Sequence, residues 1–260
     1  IDIAFLPSHI FSLEDYIPLI NEGINARYLV PMHYHYQFPP AGIEEIYPNA
    51  VVFKNTLENW VMPRELSFPE PSGDPPIPDG LIMEDEWAGA YQAKFMDDSL
   101  LFVLQDENYL YLAVQSREAV QGAGNICIAS QNQVRLLHSS AALGTAVYEK
   151  NGEGWDLIQE FVWKCRGTTN SAEDQQERED FFRQYGWLAN NGRTGEPGQM
   201  EFKIALTEMP MSIALVYRNT SRIWWPGALA DDCQAKMLTD QPIPEEAVFL
   251  PGSWIILPEL

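Results

Sequence analysis

Leu100-Leu101-Phe102-Val103-Leu104, then the polar Asp106-Glu107-Asn108, then Tyr109-Leu110-Tyr111-Leu112-Ala113-Val114, is the stretch that decides the fold. Two apolar runs of strand length flank a short polar turn, the pattern of a β-hairpin. On either side the same rhythm repeats. Asn125–Ala129, Gln133–Leu137, Thr145–Tyr148, Trp155–Trp163, Gln199–Ala205, Met211–Tyr217 and Trp254–Leu257 are short β-type runs, with glycine and asparagine between them as in Lys150-Asn151-Gly152-Glu153-Gly154. About nine short strands over residues 79–260 predict a mainly β protein with a β-sandwich. One helix interrupts them, capped by Ser171 with Glu173 and Asp174 in its first turn, and ending near Gly186.

Upstream, residues 63–78 hold six prolines in PRELSFPEPSGDPPIP. Proline removes donors and favours extended backbone, so this stretch reads as a semi-rigid linker between two domains, 1–62 and 79–260. Residues 1–62 alternate strand and helix signals. Ile1–Pro7 is a short apolar run, Ser12 to about Asn21 reads as a helix that Pro18 should bend or start late, and apolar runs follow at 27–31 and 50–53. Strand, helix, strand at this spacing is an α/β unit with a parallel or mixed sheet. So few strands cannot cover both sheet faces, and the segment reads as a truncated part of a larger α/β fold.

The composition bounds function. A net charge of −21 argues against polyanionic partners, nucleic acid above all. No run of about 18 apolar residues is present to span a bilayer. Aromatic residues make up 12% of the chain, with eight Trp, which favours β-structure and stacking on flat ligands. The three cysteines, Cys127, Cys165 and Cys233, form no CxxC pair and are read as buried free thiols. Cysteine usage therefore leaves the compartment open, bacterial cytoplasm and extracellular or periplasmic space alike.

His33 and His35, in Val30-Pro31-Met32-His33-Tyr34-His35, follow a predicted strand, where α/β folds place ligands and metals. IDIAFLP, a helix and then ARYLVPMHY resemble the end of the metallo-β-lactamase fold, in its branch of metal-dependent hydrolases. The resemblance covers about residues 1–62. It implies that His33 is the last histidine ligand of a site for zinc or another divalent metal; His35 and His9 match no ligand. The motif H-x-H-x-D-H that carries the rest of such a site occurs nowhere in the 260 residues. A metal that activates water needs about three protein ligands. The longer parent is thus expected to be a hydrolase, and this chain by itself to bind rather than catalyse, with no catalytic residue of its own.

Asp79-Gly80, Glu84-Asp85-Glu86-Trp87, Asn108 to Val114, Gln199 to Leu206 and Gly252-Ser253-Trp254 together resemble, in order and spacing, the family 9 carbohydrate-binding modules and the related DOMON-like sandwiches. That resemblance covers about residues 77–260 and implies a jelly-roll-like sandwich that binds glycans or, in other branches, haem or only another domain. Stacking on a sugar needs exposed aromatic faces with polar neighbours. Trp224 and Trp225, in SRIWWPG, and Trp187, beside Asn190, are the candidates, with Arg222 and Asn190 to bond hydroxyls; Trp87, Trp155, Trp163 and Trp254 read as core. Asp79, Glu84, Asp85, Asp97 and Asp98 read as solvated acids, with a structural calcium bound by their oxygens as the rival. His138 reads as a hydrogen-bonded core histidine, with haem ligation the rival.

Overall fold

Two units make up the chain, Ile1–Val61 and Met62–Leu260. The structure, a computed structural model, describes residues 3–7, 11, 16–24, 26, 28–32, 43–47, 50, 64–95, 97–165, 171–190, 196–207, 209–218, 220, 222–226, 232–233 and 243–258. In the first unit β1 (Ile3–Pro7) and β2 (Tyr28–Met32) pair in parallel, Ile3 opposite Tyr28 and Pro7 opposite Met32. Leu29 makes a further parallel bridge to Ala50. Parallel neighbours require a crossover, and this one contains the π-helical turn Leu19–Ile24, which follows Pro18. Proline lacks the N–H that a helix interior uses, so it sits where the helix begins. Phe11, Ile20, Ala26, Leu29, Ile43 and Tyr47 form a separate apolar cluster beneath these elements, with α1 (Ile43–Ile46) supplying one wall.

The second unit is a two-sheet sandwich. Its strands are β3 (Arg64–Glu65), β4 (Tyr91–Lys94), β5 (Leu100–Gln105), β6 (Tyr109–Gln115), β7 (Ala123–Ser130), β8 (Gln133–Ser139), β9 (Leu143–Asn151), β10 (Gly154–Cys165), β11 (Trp187–Asn190), β12 (Gln199–Ala205), β13 (Met211–Arg218), β14 (Arg222–Trp225), β15 (Glu246–Ala247) and β16 (Ile255–Leu257). Five form one antiparallel sheet in the order β11-β12-β6-β5-β4. The other nine run β15-β10-β9-β8-β7-β13-β16-β3, with β14 also on β13. The hairpin at residues 100–115 is β5–β6, paired Leu101 to Val114 and Val103 to Leu112.

Alternation explains the layers. Leu101, Val103, Leu110, Leu112 and Val114 from one sheet meet Ile126, Ile128, Leu137, Ile213, Leu215 and Leu257 from the other in the inter-sheet core. The intervening Phe102, Leu104, Tyr111 and Ala113 point outward, yet they too are buried, against Trp87. Both hairpin strands are therefore apolar without a break because both faces are covered. Gly124 lies where the sheets approach closely; a Cβ there would stand 2.6 Å from the Met200 sulfur and 3.1 Å from the Phe202 ring. The helix α2 (Ala172–Tyr185) is capped by Ser171, whose side chain accepts from the Asp174 N–H, and stops at Gly186 with φ 70°. Glycine adopts that left-handed conformation without steric cost.

Two expectations change. The proline-rich stretch belongs to the sandwich unit and is packed onto it. Leu66 N–H donates to the Ile256 carbonyl at 3.1 Å, and Phe68 enters the inter-sheet core against Tyr91 and Trp225. The carbonyl of Pro69 accepts from Gln105 N–H at 2.9 Å, and that of Pro78 from Arg178 at 2.9 Å. Proline gives up a donor but keeps its acceptor, and neighbouring elements use that acceptor. The second change concerns sulfur. Cys165 is a buried free thiol, but Cys127 and Cys233 form a disulfide across a separation of 106 residues.

Candidate functional site

Trp187 and Trp225 are packing residues. The Trp187 ring is wholly buried, sits edge-on to Phe181 at 5.2 Å, and its Nε1–H donates to Thr145 Oγ1 at 2.8 Å. Trp225 lies in the inter-sheet core, 6.0 Å from the Phe68 ring. Both rings are covered by this chain's own side chains, which leaves no face for a ligand. Trp224, one residue earlier on β14, points the other way. It is only partly buried, packing against the apolar cluster on the outer face of the nine-stranded sheet. Asn190 is buried at the end of β11. Arg222 pairs with Arg218 at the start of β14, but its side chain, like all of His33, lies outside the described residues.

Trp224 heads a cross-strand row. Val216 on β13 is opposite Trp224 and also opposite Asn125 on β7; Asn125 is opposite His138 on β8; His138 is opposite Gly144 on β9. From Trp224 to His138 is three strand spacings, roughly 15 Å. On an outer face otherwise built from Ala129, Val134, Leu136 and Ala146, Asn125 and His138 make this row polar on β7 and β8. His138 Nδ1 lies 2.6 Å from Asn125 Oδ1, and His138 Nε2 lies 2.9 Å from Ser140 Oγ. The Nδ2 group of Asn125, fully buried, has no hydrogen-bond partner among the described residues. A buried donor left unpaired costs about 1–3 kcal/mol, a cost that a ligand oxygen or a water would remove. Both ring nitrogens of His138 are engaged, so haem ligation would first have to break one of these contacts.

On the outer face of the five-stranded sheet, Glu201 is the residue that sequence reasoning quoted within a motif without giving it a role. It is 1% exposed. Its Oε2 accepts from Gly80 N–H at 2.8 Å and Asp79 N–H at 3.1 Å, and its Oε1 accepts from Trp87 Nε1–H at 3.1 Å. The three separate motif pieces, Asp79-Gly80, Trp87 and the strand around Glu201, thus converge on one carboxylate. Burial pushes its pKa up to about 7 despite these three donors. Gln199 and Lys203 flank it on the same side of β12. Gln199 Oε1 accepts from Ile82 N–H at 2.7 Å, and the Lys203 ammonium sits over the rings of Tyr109, Phe182 and Tyr111 at 4.1, 5.4 and 5.7 Å. The signal in the sequence was Gln-Met-Glu-Phe-Lys-Ile: three long polar side chains alternating with apolar ones in a strand whose neighbours are apolar on both faces.

Three of the acids considered for calcium have partners within the protein. Asp79 Oδ1 accepts from Leu81 N–H at 2.8 Å, Asp97 Oδ1 from Ser99 N–H at 3.1 Å, and Asp98 pairs with Lys94 at 2.7 Å. The described residues hold no group of three or more His, Cys, Asp or Glu fit to bind a metal ion.

No family model matches the chain, and no curated protein does. Two solved structures are similar to it. One is a carbohydrate-binding module family 9 (CBM9) from Caldicellulosiruptor kristjanssonii in complex with cellotriose, at 12% identity and TM-score 0.32, covering 63% of this chain and 80% of that one. The other is a CBM9 from the same organism in complex with glucose, at 14% identity and TM-score 0.29, covering 63% and 82%.

Proposed function

We propose that the sandwich unit is a carbohydrate-binding module, and that its ligand meets the Trp224 end of the outer face of the nine-stranded sheet. The observation that carries this reading is the row itself: a half-buried aromatic ring in register with a buried amide donor that has no acceptor among the described residues. Sugars offer apolar C–H faces to a ring and hydroxyls to such a donor. The ordered motifs between Asp79 and Trp254 support the same assignment. The test is a titration with mono- and oligosaccharides followed by tryptophan fluorescence. A saturable change is expected, lost in Trp224→Ala while the variant keeps its folded circular-dichroism spectrum. A broad panel that leaves the emission unmoved sinks the carbohydrate reading.

One observation favours a second reading, a sandwich that serves protein packing alone. Two of the three tryptophans expected to stack on a ligand are core. In either case we propose that residues 1–62 are the closing part of a metal-dependent hydrolase, with His33 as its last ligand; the sequence motif Pro31-Met32-His33-Tyr34 supports this. A single histidine does not hold a catalytic metal, so the 260-residue chain is expected to retain no stoichiometric zinc after dialysis. Metal analysis finding one zinc per chain would refute that.

A further inference from the structure

We infer that the sandwich unit is built for an oxidising compartment, with the Cys127–Cys233 bond as the staple that fastens the cover of the nine-stranded sheet. Cys127 lies on β7, paired on both sides, with Leu136 opposite on β8 and Ala214 opposite on β13. Its side chain points to the outer face, into a cluster that includes Tyr148, Trp155, Phe249 and Trp254. Cys233 comes from the chain beyond β14 and is likewise wholly buried there. The residue before it is tied to the return segment: Asp232 N–H donates to the Val248 carbonyl, and Val248 N–H donates to Asp232 Oδ2, both at 2.8 Å. The corner at 232–233 is thus held from below by sulfur and from the side by hydrogen bonds.

Nothing local brings these sulfurs together. They are 106 residues apart, and cross-linking so long a loop restricts the unfolded chain by an amount worth about 4–5 kcal/mol. Intracellular thiol buffers keep such pairs reduced, whereas secreted and periplasmic proteins keep them bonded. Breaking the bond needs two electrons and two protons, which a dithiol reductant supplies as it becomes its own disulfide. The two resulting thiols would stay inside an apolar cluster that tolerates them, so reduction is expected to leave the fold in place and loosen the cover. Trp224 packs against the same cluster, so its surroundings follow the redox state too. This inference stands whether or not the ligand is a sugar.

The experiment uses the 260-residue chain exported to a bacterial periplasm, denatured without reductant and alkylated. One modified cysteine, Cys165, is expected, together with a linked pair of peptides carrying Cys127 and Cys233; three modified cysteines would overturn the inference. The same sample with a dithiol reductant should melt about 10 °C lower. The double variant Cys127→Ser/Cys233→Ser should melt at that lower temperature with or without reductant. Equal melting of oxidised and reduced protein would overturn the role as a staple.

Discussion

The outer faces of the two sheets pose the same packing problem and are covered by different chemistry. On the five-stranded sheet, Phe102, Leu104, Tyr111 and Ala113 lie under residues 79–90, and that cover is fastened by hydrogen bonds to Glu201 and Gln199. On the nine-stranded sheet, Val134, Leu136, Ala146 and Tyr148 lie under Phe249 and Trp254. There the fastening is rings and sulfur. Phe249 packs on Tyr148 at 5.1 Å, on Trp155 at 6.1 Å and on Trp254 at 6.2 Å, and the disulfide anchors the chain beside them. One cover is sensitive to protons, through a carboxylate that burial has made easier to protonate. The other is sensitive to electrons. A fold can thus give its two surfaces independent controls without altering the core between them.

The sharpest way to break this contrast is Glu201→Ala. It strands the N–H groups of Asp79 and Gly80 and the indole of Trp87, all part-buried or buried, and should cost about 3–5 kcal/mol in urea unfolding. A loss under 1 kcal/mol would mean that the cover is held by apolar contact alone. Next comes pH. The folded Glu201 carboxyl titrates at about 7 against an ordinary 4.5, so the folded state holds this proton more tightly than the unfolded one. Its contribution is fully present below about 4.5 and lost as pH rises through about 7. Stability should therefore fall between pH 5 and pH 8, and Glu201→Gln should flatten that fall by as much as about 3 kcal/mol. Equal slopes for the two proteins would remove Glu201 as the proton-sensitive group. A smaller effect is expected at Lys203, whose ammonium lies over three rings. Lys203→Met keeps the apolar stem and should cost about 1 kcal/mol. Smallest of all is the cross-term: reductant should change the pH slope by less than about 0.5 kcal/mol, because the two fastenings share no partner. A larger coupling would make the two covers a single unit.

Much of this architecture was legible in the residues. The hairpin at 100–115 and the helix from Ser171 to Gly186 rest on local rules, turn chemistry and capping, and they formed where those rules place them. Trp87, Trp155 and Trp254 are core, as strand patterning implies. What local rules miss is partnership at a distance. The proline-rich stretch lacks donors, but its carbonyls are filled by Gln105 and Arg178 from far along the chain. Cys127 and Cys233 carry no spacing signal because their meeting is made by the sheet. Trp224 and Trp225 illustrate the limit most simply. Adjacent residues on a strand face opposite ways, so one had to turn toward the core, but only the pairing of β14 with β13 decides which.

The short parallel pair β3–β16 sets Arg64 opposite Ile255 and Glu65 opposite Ile256. The polypeptide therefore enters and leaves the sandwich on neighbouring strands at one sheet edge. A peptide of about four residues would bridge that gap, which makes the unit suited to circular permutation and to insertion into a surface loop of another protein. New ends opened at the exposed turn Gly152-Glu153, far from both Glu201 and Cys127 in sequence, would turn the present ends into an ordinary loop.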